Sequence, residues 1–383
     1  MKIGILTTNS KLYPAMVFDI IAGYHGYFKS LNIEEPEFLI ESIGTGGDYK
    51  LLHQKTEGLL LNPEVKVILA FIDLFAAKRI EPFVNAAGKI LITADAGADV
   101  PGMEIPSPNH LHISLQEAYG SVLAVHDSIK NKQLKNIYIT SFYEGGYLHC
   151  YAAARVWEKN GGEVKFNYVT PFNANEMDID LLASQMDEHK PDALVLQYSA
   201  ESGQVFQEKY ISKNLPQNIN VYASPFMFEE AWISTLPYFF TNLQGYVAWH
   251  SSIKTQTNQD FCNFILEENA KDPNIFHLLG WDSAIIITEV VKAIKNKIGS
   301  SIQVLAETTK KTYESPRGEL NWMEKHRHFI SPMYEVKLID NKGFYKSEFT
   351  GNISNESSAW LEFASDVPSG IISRWFNTYL CLS

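Results

Sequence analysis

Along this chain, short uninterrupted apolar runs alternate with longer stretches in which apolar residues recur every three or four positions. Lys2–Leu6 predicts a strand that ends in the polar loop Thr7-Thr8-Asn9-Ser10. Over Tyr13–Leu31, the residues Met16, Ile20, Tyr24 and Tyr27-Phe28 fall at helical spacing. Glu37–Ile43 predicts a strand, and Gly44-Thr45-Gly46-Gly47-Asp48 opens a helix running through Leu61. Val65–Phe71 is a fully apolar strand, followed by a helix from Asp73 to about Ala87 and a strand at Lys89–Ile92. Strands without polar alternation, separated by helices, indicate a parallel sheet buried on both faces.

The same rhythm then begins again. Helices are predicted at Gln116–Ile129, Tyr147–Asn160, Asp178–His189 and Glu201–Ser212. Strands are predicted at Lys135–Thr140, Glu163–Val169, Ala193–Gln197 and Asn220–Ala223. Gly161-Gly162 is a good helix stop. After Gly245 the order changes to three successive helices, Gln256–Ala270, Phe276–Lys297 and Ser301–Lys311. Ser315-Pro316-Arg317-Gly318 is a turn, Glu319–Trp322 is extended and Met333–Ile339 is a strand. The Ser-, Gly- and aromatic-rich tail 341–383 receives no element from its pattern. Two doubly wound α/β lobes, followed by a return through helices and strands, imply several crossovers and hence a hinge.

Composition narrows the function classes. In 383 residues, 45% are hydrophobic, 13% aromatic and only 20% charged, which excludes disordered, collagen-like and coiled-coil chains. The net charge of −12 lacks the basic footprint that nucleic acids or an anionic membrane surface require. Cys150, Cys262 and Cys381 are scattered, so they give neither a disulfide framework nor a metal-binding pair. No apolar run reaches the length of a membrane span. Met1-Lys2 leads directly into the first strand and does not read as a signal peptide. The expected location is therefore periplasmic if a leader was removed, and cytoplasmic otherwise.

Several segments in their order resemble the leucine-binding-like family of type I periplasmic binding proteins, the solute receptors of ATP-binding-cassette importers. They are the opening strand, polar loop and helix; Val67–Val84 with Glu81-Pro82-Phe83; Lys89–Gly97; Tyr138–Gly146 with its Tyr-x-x-Gly turn; Gly280-Trp281-Asp282-Ser283-Ala284; and Ser315-Pro316-Arg317-Gly318-Glu319-Leu320. The resemblance covers residues 2–340 and implies two doubly wound parallel-sheet lobes joined by a three-crossover hinge. Lobe 1 would comprise residues 1–116 plus 248–328, and lobe 2 residues 117–247 plus 329–383. The ligand would sit between the lobes at the C-terminal ends of the parallel strands, as open α/β sheets generally place it, with hinge closure as the motion.

The loops expected to line that cleft are Thr7–Ser10, Ile72–Leu74, Thr93–Gly97, Ser141–Gly146, Tyr198–Ala200 and Ser224–Phe226, which precede helix N-termini with free N–H groups. Candidate ligand-binding residues are Thr8, Asn9, Asp73, Leu74, Ala96, Gly97, Tyr143, Tyr198, Ser199, Phe226 and His250. In relatives that bind aliphatic amino acids, a Ser after the third strand and a small-residue–Thr pair after the fourth hold the carboxylate. A Tyr in the Tyr-x-x-Gly turn and a late acidic residue hold the ammonium. Tyr143 keeps its place in that pattern. The Ser position falls at Asp73 or Leu74, the pair at Ala96-Gly97 and the late acid at Phe226. An Asp where a carboxylate docks would repel it by roughly 1–4 kcal/mol. Asp73 also reads as a helix N-cap. The aromatic candidates suit a ligand with apolar or planar character.

Other motifs point nowhere specific. Gly44-Thr45-Gly46-Gly47 lacks both dinucleotide and P-loop spacing, and reads as a helix-opening turn capped by Asp48. Glu324, His326 and His328 alternate on one face, as His110 and His112 do, with no identifiable further metal ligand. Asp95, Asp99 and Glu201 form no catalytic spacing, and hydrolase motifs are absent. The expectation is a non-enzymatic receptor, without cofactor or metal, closing on a small polar or amphipathic molecule such as an amino acid. Its partner would be an importer permease. A cytoplasmic sensor of the amide-sensing type, acting on a regulatory protein, is the alternative.

Overall fold

A computed structural model of the chain describes residues 1–229, 233, 240, 242–341, 344–370 and 373–382. It contains two α/β lobes. The first holds an eight-stranded sheet of order β11-β12-β13-β5-β4-β3-β1-β2. Its strands are β1 (Lys2–Thr7), β2 (Glu37–Ser42), β3 (Val65–Ala70), β4 (Ile90–Asp95), β5 (His110–Ser114), β11 (Tyr313–Ser315), β12 (Gly318–Met323) and β13 (His328–Ile330). From β2 to β13 all neighbours are parallel; β12 runs antiparallel to both of its neighbours, β13 and β11.

The second lobe holds a seven-stranded sheet of order β15-β14-β10-β9-β8-β6-β7. Its parallel part is β6 (Lys135–Ser141), β7 (Glu163–Thr170), β8 (Ala193–Gln197), β9 (Asn220–Ala223) and β10 (Leu243–Val247). The antiparallel strands β14 (Met333–Asn341) and β15 (Phe344–Ser354) close its edge. Helices cover both sheets. They are α1 (Met16–Ser30), α2 (Tyr49–Leu61), α3 (Leu74–Ala86), α4 (Glu117–Lys130), α5 (Leu148–Lys159), α6 (Ile179–His189), α7 (Ala200–Ser212), α8 (Gln256–Asn269), α9 (Ile275–Lys295), α10 (Ser301–Thr308) and α11 (Ser357–Ser365). Among the described residues no helix is long and apolar enough to cross a membrane.

Local chemistry explains most boundaries. Asp48 accepts hydrogen bonds from the backbone N–H groups of Lys50 and Leu51, capping α2. Asn274 and His277 form a reciprocal capping box at the start of α9. That helix packs against α1 at a close crossing, where a side chain on Gly280 would overlap the Ile20 carbonyl and one on Gly23 would overlap the His277 carbonyl.

Among the strands that escape the sequence pattern, β5 and β10 do so for identifiable reasons. β5 carries His110 and His112, which break an apolar run; both are buried, with the Thr93 hydroxyl 2.8 Å from His110 Nε2 and 2.7 Å from His112 Nδ1. β10 contains Gln244 and Gly245, and a Cβ on Gly245 would lie 2.6 Å from the Ala223 carbonyl oxygen of the neighbouring strand. The tail also gains structure, as β15 and α11, because a sheet edge and the face of α4 are available to it only in three dimensions.

Among the described residues the chain passes between the sheets three times, after β5, after β10 and after β13. Side chains tie these passages together. Gln116, in the left-handed conformation (φ 58°), accepts hydrogen bonds from the Ser331 backbone N–H (2.7 Å) and hydroxyl (3.2 Å), joining the first passage to the third. Arg317, fully buried, donates to Asp282 on α9 at 2.7 Å and to the Ser114 carbonyl at 2.8 Å. Ser315 donates to the other Asp282 oxygen (2.6 Å), and Tyr334 donates to the Arg317 carbonyl (3.0 Å). Removing one member of a buried ion pair leaves the other charge uncompensated. Arg317→Ala should therefore cost about 3–5 kcal/mol of stability, read as a lowered urea midpoint with an unchanged m-value.

Candidate functional site

The C-terminal ends of both parallel sheets face a common cleft. On the first lobe, Asp73 follows β3 with an extended backbone and caps α3, its Oδ1 accepting from the Ala76 N–H at 2.7 Å. Its Oδ2 accepts from Arg374 Nη2 at 3.0 Å, while Arg374 Nη1 donates to Asp99 at 2.7 Å. Asp95 accepts from the Gly97 N–H at 2.8 Å and lies 3.1 Å from His112 Nε2. Burial pushes the Asp73 carboxyl above its ordinary range against the pull of Arg374, and burial with the Asp99 charge raises Asp95 well above its own.

On the second lobe, β6 ends at Ser141, whose hydroxyl accepts from the Glu144 N–H at 2.9 Å and fixes a tight turn. Glu144 is buried and accepts hydrogen bonds from the Ser199 hydroxyl and from Tyr379 (2.6 Å). Burial pushes Glu144 up to about 7, although both hydroxyls stabilise its charged form. Glu117, at the start of α4, is buried and raised well above the carboxylate range by burial and by the Glu144 charge, with the Phe226 backbone N–H opposing. Tyr147 donates to the Tyr143 hydroxyl at 3.0 Å, and the two rings stand edge to face at 5.3 Å.

The sequence candidates separate into groups. Asp73, Tyr143, Ser199 and Phe226 meet around the segment 373–382: Tyr143 and Phe226 flank the Tyr379 ring at 6.5 and 5.8 Å, and Ser199 orients Glu144. Thr8 donates to the Phe71 carbonyl at 3.2 Å, while Asn9 is exposed, its N–H bonded to the Gly44 carbonyl. Leu74 and Gly97 line a small cavity of about 10 Å³ with Asp95, Asp99 and His112. Ala96 and Gly97 accept from the N–H groups of Glu117 and Ala118, so both sit at the first passage between lobes. Tyr198 is wholly buried against Phe206 at 5.3 Å, with its hydroxyl on Thr170. His250, 2.7 Å from the Ser252 hydroxyl and 3.1 Å from that of Ser347, lines a separate cavity of about 40 Å³ with Glu117, Phe226 and Trp249.

Sequence reasoning missed Glu144, Glu117, Tyr147 and the segment 373–382. Glu144 adjoins Tyr143 in the Tyr-x-x-Gly turn, so its position was available as a signal; the others carry none. Asp95 and Asp99 do lie close together, whereas the Glu201 side chain is outside the described residues. Among the described residues, no group of three or more His, Cys, Asp and Glu could hold a metal ion. Instead, His328 has its Nδ1 2.7 Å from the His326 carbonyl oxygen.

The Glu144 environment sets a pH dependence. Its folded pKa of about 7 lies above the ordinary 4.5. As pH rises between those values, the folded chain keeps a proton that the unfolded chain has lost, so stability falls across that window and levels above it. Glu144→Gln should remove this loss. Its stability relative to the parent chain should grow by about 2–3 kcal/mol from pH 4 to pH 8, measured by urea denaturation at both pH values.

A profile of the periplasmic binding protein family matches residues 1–343. A sequence search of curated proteins returned no match. Among solved structures, an ABC transporter substrate-binding protein from Sphaerobacter thermophilus has a TM-score of 0.78 at 15% identity, covering 92% of this chain and 97% of that one. A solute-binding protein of an ABC transporter from Rhodopseudomonas palustris BisB5, in complex with 3,4-dihydroxybenzoic acid, gives 0.74 at 18% identity, covering 91% and 96%. An amino acid ABC transporter substrate-binding protein from Pseudomonas fluorescens Pf-5 gives 0.74 at 12%, covering 96% and 99%. At these identities the likeness is one of fold. With the profile spanning nine-tenths of its length, this chain belongs to the periplasmic binding protein family, in its type I, leucine-binding-like form.

Proposed function

We propose that the protein is a non-enzymatic solute receptor of an ABC-type importer, working in the periplasm, in which two lobes close on a small polar or amphipathic molecule. The observation that carries this reading is bipartite. Polar groups at the C-terminal ends of both sheets, Asp73 and Asp99 on one side and Tyr143 and Glu144 on the other, converge on the same short stretch of chain. A molecule in that position touches both lobes only in the closed state, so its binding energy favours closure. The three solved relatives named above, each a substrate- or solute-binding protein of an ABC transporter, weigh toward this reading over the cytoplasmic sensor. One of them was solved with an aromatic acid, which fits a cleft walled by Tyr143, Tyr147 and Phe226 as readily as an amino acid does.

A thermal-shift panel of amino acids, aromatic acids and aromatic amines tests the reading. A bound compound should raise the melting temperature with concentration, by about 2.7 kcal/mol of stabilisation at a hundred times its Kd. Asp73→Asn, which keeps the helix cap, and Tyr143→Phe should each weaken that compound roughly tenfold, in line with the loss of one hydrogen bond. A panel with no stabilising member, on the parent chain and on a chain whose cleft has been vacated, would sink the receptor reading.

A further inference from the structure

The segment Ser373–Leu382 lies in the cleft and makes contacts with both lobes. On the first lobe, Arg374 bridges Asp73 and Asp99, its guanidinium 4.9 Å over the Phe75 ring. The Thr378 N–H donates to the Thr45 carbonyl at 3.2 Å, and the Ser10 hydroxyl donates to the Leu380 carbonyl. On the second lobe, Trp375 donates from its indole to the Tyr143 carbonyl (2.9 Å) and from its backbone to the Gly146 carbonyl (3.2 Å). A side chain on Gly146 would overlap that indole. Asn377 donates to the Tyr143 hydroxyl at 3.4 Å. Tyr379, only 4% exposed, donates to Glu144 and packs edge to face against Tyr147 at 4.8 Å and Phe226 at 5.8 Å.

We propose that this segment is a built-in occupant of the solute cleft, displaced when solute binds, and that the solute it yields to is a cation bearing an aromatic ring. The proposal rests on the receptor reading above and extends it to ligand class and regulation. Its chemical argument is one of replacement. Withdrawal of the segment takes Arg374 away from Asp73 and Asp99 and takes the Tyr379 phenol from Glu144 and its aromatic walls. Buried carboxylates left without a partner are costly. A guanidinium or ammonium restores the pairing, and a ring refills the space between Tyr147 and Phe226. An aryl carboxylate fills the same space but adds a negative charge beside Asp73, Asp99 and Glu144. The occupant is intramolecular, so its effective concentration is high and it weakens every competing solute. The receptor then reports only on solute abundant enough to displace the segment.

The full-length chain provides the test. A Cβ on Gly47 would lie 3.7 Å from that of Asn377, within the range a disulfide needs. Gly47→Cys with Asn377→Cys therefore locks the segment in place when oxidised, and Trp375→Ala removes its largest anchor. The probes are tyramine and 4-hydroxybenzoate, which share a phenol and differ in charge, titrated by calorimetry. Trp375→Ala should bind tyramine about tenfold or more tightly than the parent chain does. The oxidised double variant should bind neither probe, with binding restored by reductant. Tyramine should be preferred to 4-hydroxybenzoate by about tenfold or more in every open form. Equal tyramine affinity in the oxidised and reduced double variant would overturn the occupant. Preference for 4-hydroxybenzoate, or no tyramine binding in any form, would overturn the ligand class. The receptor reading survives each of those results, because it fails only when the broader panel also finds no ligand on the Trp375→Ala chain. Should Trp375→Ala fold poorly, the redox pair alone decides.

Discussion

Charge buried where the two parallel sheets end is the constraint around which this molecule is arranged. Asp73, Asp95 and Asp99 gather on one lobe, and Glu117 and Glu144 gather at and beyond the first passage to the other. Carboxylates held away from water must be paired, hydrogen-bonded or protonated. The chain uses all three solutions. Arg374 pairs Asp73 and Asp99, hydroxyls from Ser199 and Tyr379 serve Glu144, and burial raises Asp95 and Glu117 toward their neutral forms. Two of these partners, Arg374 and Tyr379, come from one stretch of ten residues, so the electrostatics of the cleft and the placement of that stretch are the same problem.

The hinge side is built on the opposite principle. There the polar groups belong to the permanent structure. Arg317 joins Asp282, Ser114 and Tyr334 through hydrogen bonds, and Gln116 joins Ser331 across the first and third passages. Buried hydrogen bonds of this kind, made in low dielectric, rigidify what they connect. Contacts at the cleft mouth, by contrast, pass through side chains of a segment that covalent geometry does not force to remain there. Rigid crossovers on one side and an exchangeable filling on the other are the physical ingredients of a two-lobed closing motion.

The shared fold does not carry a shared ligand. Relatives at 12–18% identity are described with ligands or transport classes as different as a dihydroxybenzoic acid and amino acids. Function resides in the site grafted on the fold. Asp73 is the clearest case of one residue doing two jobs. It caps α3 through one oxygen and meets a guanidinium through the other. The N-cap and ligand-contact readings of that position are therefore compatible.

Elements governed by local chemistry were legible in the residues themselves. Apolar runs placed β1, β3, β8 and β9, because a strand covered on both faces needs no polar alternation. Asp48 placed the start of α2 through hydrogen bonds two and three residues away. β5 and β10 were not legible, since His110, His112 and Gln244 look like loop residues until neighbouring strands supply partners and cover. The cleft was half legible: loops after strands could be named, but not what fills them. Arg374 reaches Asp73 across 301 positions and Tyr379 reaches Glu144 across 235. No local period or spacing encodes such pairings, because a long loop closes at a cost that grows only slowly with its length and its partner is chosen by the fold. Sequence alone determined two parallel-sheet lobes and the loops at their ends; only tertiary structure decided that the polar groups of those loops converge on the chain's own last described segment.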